Sequence, residues 1–259
     1  VRILFLADVF GSPGRLILEQ DLPRLREELA IDFCLVNAEN ATNGAGLSPR
    51  HAERILAAGA DVITLGNHSW RRSEIVTYLA TTDRVVRPAN LSRFSPGVGL
   101  SVLPAADESN VAVISLLGAL FINSSCGPFE IVDELVEEAA RRAPVVLVDF
   151  HAEATSEKVG LARWLDGRVT AVFGSHTHVQ TNDARVLAGG TAAITDAGMT
   201  GPHDSVIGVR AELAIERMRT GMQVRFEPAE GGVRIEGALV ECDSNGRALS
   251  CQAVRFPTE

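Results

Sequence analysis

Five short, mainly apolar runs in this chain each end abruptly in residues that carry metal-binding side chains. The run 2–7 leads into Asp8, 33–38 into Glu39 and Asn40, and 62–66 into Asn67 and His68. Further on, 145–150 leads into His151, and 169–174 into Ser175, His176 and His178. Apolar, β-rich runs of this length bounded by turn residues read as buried strands. In sheets joined by helical crossovers, ligands collect beyond the carboxyl ends of the strands. Five such ends, offering carboxylate, amide and imidazole, predict one metal site assembled from distant parts of the chain.

The stretches between the runs indicate the fold class. Segment 15–30 has helical rhythm after Pro13 and Gly14, and Ser48 with Pro49 supplies an N-cap and first-turn proline for a helix to about residue 58. A third helix is expected over 73–79, so the first third of the chain reads as β-α units with a parallel sheet. The middle differs: β-type runs at 98–103 and 111–116 have no helix between them, and a helix pattern returns at 129–142. From residue 185 the pattern is mostly strand, at 192–195, 205–215, 223–226 and 233–241, with glycine pairs at 189–190 and 231–232 as hairpin turns. Strands crowded into the middle and C-terminal parts imply a second sheet facing the first. The expected architecture is a four-layer α/β/β/α sandwich with two facing mixed sheets, built as a single domain over 1–259.

Composition narrows the function classes. A chain of 259 residues with 46% hydrophobic content buries a substantial core. No apolar stretch reaches the roughly 18 residues of a membrane span. The chain opens directly into a strand pattern without an export signal, so a cytoplasmic location is expected. A formal charge of −9 argues against duplex nucleic acid as a partner but not against a small phosphate ester. Cys34, Cys126, Cys242 and Cys251 are scattered without paired spacing, which disfavours a disulfide scaffold or a zinc–thiolate site.

Taken singly, the donors have other readings. His176 and His178 sit at i and i+2, where extended backbone aims both imidazoles the same way, yet His-Thr-His also serves as a polar loop. Asp8 suits an Asx turn or helix cap, Asn67 a turn, and His151 a hydrogen-bonded core position. Glu39 is harder to explain without a cation, because no Lys or Arg stands in the loop from residue 38 to 49. His203 reads as a substrate contact or a polar turn residue, and Thr200 and Gly201 as pocket-lining backbone. His51 reads as solvent-facing. Lys158 either offsets phosphate charge or lies on an exposed helix face, and Trp70 and Trp164 read as packing residues.

Gly66-Asn67-His68 and Gly174-Ser175-His176-Thr177-His178, with Asp8 as the opening aspartate, resemble motifs of the calcineurin-like metallophosphoesterases. Three longer stretches are similar to one bacterial branch, the YmdB-like phosphodiesterases: residues 37–44 (NAENATNG), 150–158 (FHAEATSEK) and 195–202 (TDAGMTGP). The chain departs from the general pattern where Phe10 replaces the histidine of Asp-X-His and where Glu39-Asn40 replaces an aspartate motif. That exchange resembles the branch.

The resemblance implies two transition-metal ions, iron or manganese foremost and zinc or cobalt as alternatives. Glu39 would bridge them, with Asp8, Asn40 and His178 on one and Asn67, His151 and His176 on the other. It further implies hydrolysis of 2′,3′-cyclic nucleotides by a metal-bridging hydroxide, with His68 as general acid. The alternatives are a phosphomonoesterase or 5′-nucleotidase with the same centre, and a regulatory nucleotide- or partner-binding protein with little turnover. Assembly into a homo-oligomer stays open.

Overall fold

The computed structural model describes residues 1–257. The chain runs through β1 (Arg2–Leu6), α1 (Gly11–Glu28), β2 (Phe33–Asn37), α2 (Pro49–Ala57), β3 (Val62–Thr64), α3 (Ile75–Leu79) and β4 (Val85–Val86). Next come β5 (Leu100–Pro104), β6 (Asn110–Leu117), α4 (Pro128–Arg142), β7 (Val145–His151), α5 (Thr155–Trp164) and β8 (Ala171–Ser175). The remainder is β9 (Arg185–Val186), β10 (Ala192–Ile194), β11 (Gly201–Pro202), α6 (Ala211–Thr220), β12 (Val233–Cys242) and β13 (Ala248–Pro257).

These strands form two mixed sheets. One has the order β11-β12-β1-β2-β3-β4, with β13 also paired to β12; the other has the order β5-β6-β7-β8-β10-β9. Strands β1 to β4 run parallel, as do β6, β7, β8 and β10. The alternation within β1 shows how the layers arise. Ile3 and Phe5 point into a core shared with Val113, Leu147 and Phe173 of the second sheet, whereas Leu4 and Leu6 join Leu18 and Leu22 of α1. Phe5 stacks on Phe173 with ring centroids 4.7 Å apart. A third core packs Ile114 and Val148 of the second sheet against Val132 of α4 and Leu161 of α5. Central strands are therefore apolar on both faces because both faces are covered. The order of layers is helix, sheet, sheet, helix, as expected.

Parallel strands in both sheets bring their carboxyl ends to one edge, which positions the donor residues. Ser48 caps α2 as predicted, its Oγ accepting from the His51 amide. The C-terminal reading needs correction. Residues 205–215 are not a strand: the chain turns through 203–209 and then forms α6, of which only Ala214 is buried, so no amphipathic pattern signals the helix. Segment 223–226 is irregular, and Gly231 and Gly232 pair with Asp204 and His203 beside β11 instead of closing a hairpin from it. The glycine pair at 189–190 does close the β9–β10 hairpin. No helix among the described residues is long and apolar enough to cross a membrane.

Candidate metal centre

Asp8 follows β1, Glu39 and Asn40 follow β2, and Asn67 and His68 follow β3; His151 ends β7, and His176 and His178 follow β8. The turns that aim these side chains are strained. Asp8, His176 and His178 have positive φ values of 34°, 101° and 64°, a region that L-residues avoid unless surrounding structure holds them. Thr177, between the two histidines, is the anchor. Its amide and hydroxyl both donate to Asp196 Oδ2, at 3.0 and 2.7 Å, and Lys158 Nζ donates to the same oxygen at 2.7 Å.

Gly66, just before Asn67, is set by close approach. A Cβ there would lie 2.3 Å from Glu39 Oε2 and 2.5 Å from the His151 ring.

The donors fall into two groups, the first of which includes Glu39. Around His151 Nε2 lie Asn67 Oδ1 and His176 Nδ1, both at 3.0 Å, and Glu39 Oε1 at 3.2 Å. Around His178 Nε2 lie the Asn40 side-chain amide at 3.2 Å and Asp8 Oδ2 at 4.0 Å. The opposite ring nitrogens are occupied. His178 Nδ1 donates to the Ile207 carbonyl at 2.9 Å, His176 Nε2 faces Glu153 Oε2 at 2.9 Å, and His151 Nδ1 meets Ser175 Oγ at 2.9 Å. Ser175 in turn donates to Asp149 at 2.6 Å. Outer hydrogen bonds of this kind fix the tautomer of a ligating histidine and direct its free lone pair inward.

The cluster fits a cation. Glu39, His151 and His176 each offer a ligand atom, and the three lie within 4.8 Å of one another. Asp8 Oδ1 and Glu39 Oε1 are buried and accept no hydrogen bond from the described residues. The electrostatics of the buried groups agree. Burial raises the Asp8 carboxyl to about 6, against the pull of His178 and His151. Burial also opposes ionisation of Glu39, yet His151 and His68 hold it well below the usual range. His151 is driven up to about 9, because Glu39, Asp8 and Asp149 outweigh its burial; burial and the His151 charge push His176 down to about 3. The carboxylates thus draw positive charge into this spot, which a metal ion provides more fully than one imidazolium.

His68 sits on the rim of an adjoining cavity of about 560 Å³. Its Nδ1 lies 2.7 Å from Asn40 Oδ1 and 3.2 Å from Glu39 Oε1. Phe10 is buried and meets the His178 ring edge-on, with centroids 5.6 Å apart. Its ring is seated against Gly44 and Gly208, where a Cβ would come within 2.8 and 2.6 Å. The side chain is therefore packing, and Asn40 reaches His178 in its place. Turning the Asn40 amide by 180° exchanges its oxygen and nitrogen and presents the oxygen to His178.

Other expectations change. Thr200 and Gly201 are buried behind Phe10, and His203 Nε2 donates to the Met199 carbonyl at 3.1 Å; none of the three lines the cavity. Lys158 lies on no exposed face: it is 3% exposed, in an ion pair with the equally buried Asp196. His51 is half-buried against Thr42 Oγ1, Trp164 packs edge-on against Phe129 as expected, and Trp70 is 38% exposed. The cavity instead brings in Arg71, Glu153, Ile207, Arg217 and Phe226, which the sequence reading passed over. Glu153 lay inside the 150–158 stretch and Arg71 three residues beyond His68; Ile207 and Phe226 come from the misread segments 205–215 and 223–226, and Arg217 from between them.

A donor cluster at the shared edge of two such sheets is the arrangement of the calcineurin-like metallophosphoesterases. Within them, the chain belongs to the YmdB-like protein family, whose model matches residues 4–254. It is 44% identical over 243 residues to a 2′,3′-cyclic-nucleotide 2′-phosphodiesterase of Bacillus subtilis (strain 168), covering 94% of this chain and 92% of that one. Among solved structures, a hypothetical protein from Thermus thermophilus superposes with a TM-score of 0.94 at 37% identity, covering all of both chains. A novel phosphatase from Mycoplasma pneumoniae gives 0.91 at 36% identity, covering 99% of this chain and 93% of that one.

Proposed function

We propose that this protein is a metal-dependent phosphodiesterase that opens 2′,3′-cyclic nucleotides, working as one domain. The observation that carries the reading is the gathering of five amide and imidazole donors around Asp8 and Glu39, each of which has a buried carboxylate oxygen that accepts no hydrogen bond from the described residues. Asp8, Asn40 and His178 would hold one ion and Asn67, His151 and His176 a second, with Glu39 between them. The oxygen donors suit manganese and the imidazoles iron, and the mixed set also accommodates zinc or cobalt. When bound, the ions supply Lewis-acid stabilisation of the phosphate and a water nucleophile active at neutral pH.

The residues of the chain do the rest. His68 Nδ1 is engaged by Asn40, so Nε2 is the nitrogen that delivers a proton. As water oxygen bonds to phosphorus and the bond to the ribose 2′ oxygen breaks, that proton goes to the departing oxygen, the proton shed by the water passes to solvent, and His68 is reprotonated from solvent. The exposed Arg71 adds positive charge to the same cavity wall. The activity named for the Bacillus subtilis relative supports the choice of substrate. A small phosphate ester also suits an acidic chain better than a duplex does. Four free thiols suit the reducing cytoplasm.

Activity on bis-p-nitrophenyl phosphate but not p-nitrophenyl phosphate is the expected pattern. The reverse pattern would mark a phosphomonoesterase and overturn the reading. His68→Ala is expected to lower kcat about 10²- to 10⁴-fold with bound metal unchanged. Loss of metal together with activity would instead make His68 a structural residue.

A further inference from the structure

We infer that the cavity beside the donor cluster holds a nucleobase, stacked on the pair Phe226 and Arg217. The inference rests on the phosphodiesterase reading above and names the part of the substrate that lies away from the phosphate.

The cavity has two unlike walls. One carries the polar residues of the cluster, among them His68 and His176; the other is formed by Ile207, Val209, Phe226 and Pro228. Its volume of about 560 Å³ far exceeds what a phosphodiester group fills. It lies within the range of about 300–1,000 Å³ seen for sites that take a drug-sized organic molecule. Phe226 is 40% exposed, and the Arg217 guanidinium lies 5.0 Å from its ring centroid. Aromatic rings and guanidinium planes are the two surfaces on which proteins stack bases, through the π-face that every base possesses.

This wall is fixed in place. Arg210 N donates to the Glu227 carbonyl at 3.0 Å, and Ala229 N donates to the Gly208 carbonyl at 2.8 Å, so the chain that follows Phe226 is tied to the turn that precedes α6. The same turn carries Ile207, whose φ is 46°, unusual for a β-branched residue, and whose carbonyl orients His178. One short segment therefore shapes the apolar wall and steers a residue of the donor cluster. That arrangement places a stacked base at a set distance from the phosphate.

The test compares adenosine 2′,3′-cyclic phosphate with glycerol 1,2-cyclic phosphate, which keeps the strained ring but lacks a base. Phe226→Ala should raise KM at least about 5-fold for the nucleotide. It should leave kcat/KM for the glycerol ester within about twofold, and Phe226→Tyr should restore the nucleotide KM. Equal effects on both esters, or none on either, would overturn the proposal.

Failure of the wild type to cleave either ester would count against the hydrolase reading alone. Adenosine binding, followed by saturation-transfer NMR, then decides the base site. Transfer to the purine protons that is lost in Phe226→Ala supports the site, and absent or unchanged transfer overturns it.

Discussion

Glu39→Gln is expected to lower kcat/KM for a cyclic phosphodiester by at least about 10³-fold, which corresponds to some 4 kcal/mol of lost transition-state stabilisation. The substitution keeps the size and shape of the side chain and removes only its charge. Glu39 is the residue proposed to lie between the two ions, and its Oε1 is 3.2 Å from both His151 Nε2 and His68 Nδ1. Its other oxygen, Oε2, accepts the His68 amide at 2.8 Å, a bond the glutamine carbonyl preserves. The local backbone should therefore stay as it is. Cations lose the carboxylate that attracts them, and bound metal should fall in parallel with turnover. Circular dichroism and elemental analysis of the purified variant separate this outcome from misfolding. Hydrolysis within about tenfold of wild type, with full metal content, would remove Glu39 from the mechanism.

The second large effect lies away from the reacting atoms. Lys158→Met should destabilise the fold by about 3–5 kcal/mol, because it leaves Asp196 as a buried, unpaired carboxylate. In a domain of this size that is a fall in Tm on the order of 10 °C. The consequence should reach the cluster as well. Asp196 holds Thr177 between two histidines whose backbone is strained, so a repelled or protonated Asp196 lets His176 and His178 relax. Metal affinity should weaken along with Tm. Adding Asp196→Asn to Lys158→Met removes the stranded charge and should recover part of the lost Tm without restoring metal affinity, since the anchoring carboxylate is gone. An unchanged Tm in Lys158→Met would show that the pair contributes nothing.

The sandwich and the strand-end donors were legible because each depends on local pattern. Runs such as 33–38 and 169–174 are mainly apolar, as central strands covered on both faces are, and their ends carry the polar residues. Of the two readings of Lys158, the exposed helix face failed because its partner stands 38 positions away, and a lone lysine in a helix reads as solvated. Phe10 was legible only as a departure from a motif; its seat against Gly44 and Gly208 depends on tertiary packing. The stretch 205–226, with strands expected at 205–215 and 223–226, was misread for a physical reason too. Helix α6 buries a single residue, so no hydrophobic period marks it, and the scattered Val and Ile suggested a strand. Because that segment forms the apolar wall, Phe226 and Arg217 went unnoticed with it.

Metal titration of the stripped protein, with cleavage of a 2′,3′-cyclic nucleotide followed at each addition, tests the central claim most directly. Two donor groups with Glu39 proposed between them predict two manganese or iron ions per chain at saturation, with full turnover reached only as the second ion binds. Full turnover in the stripped protein, or saturation at one ion or none, would contradict it.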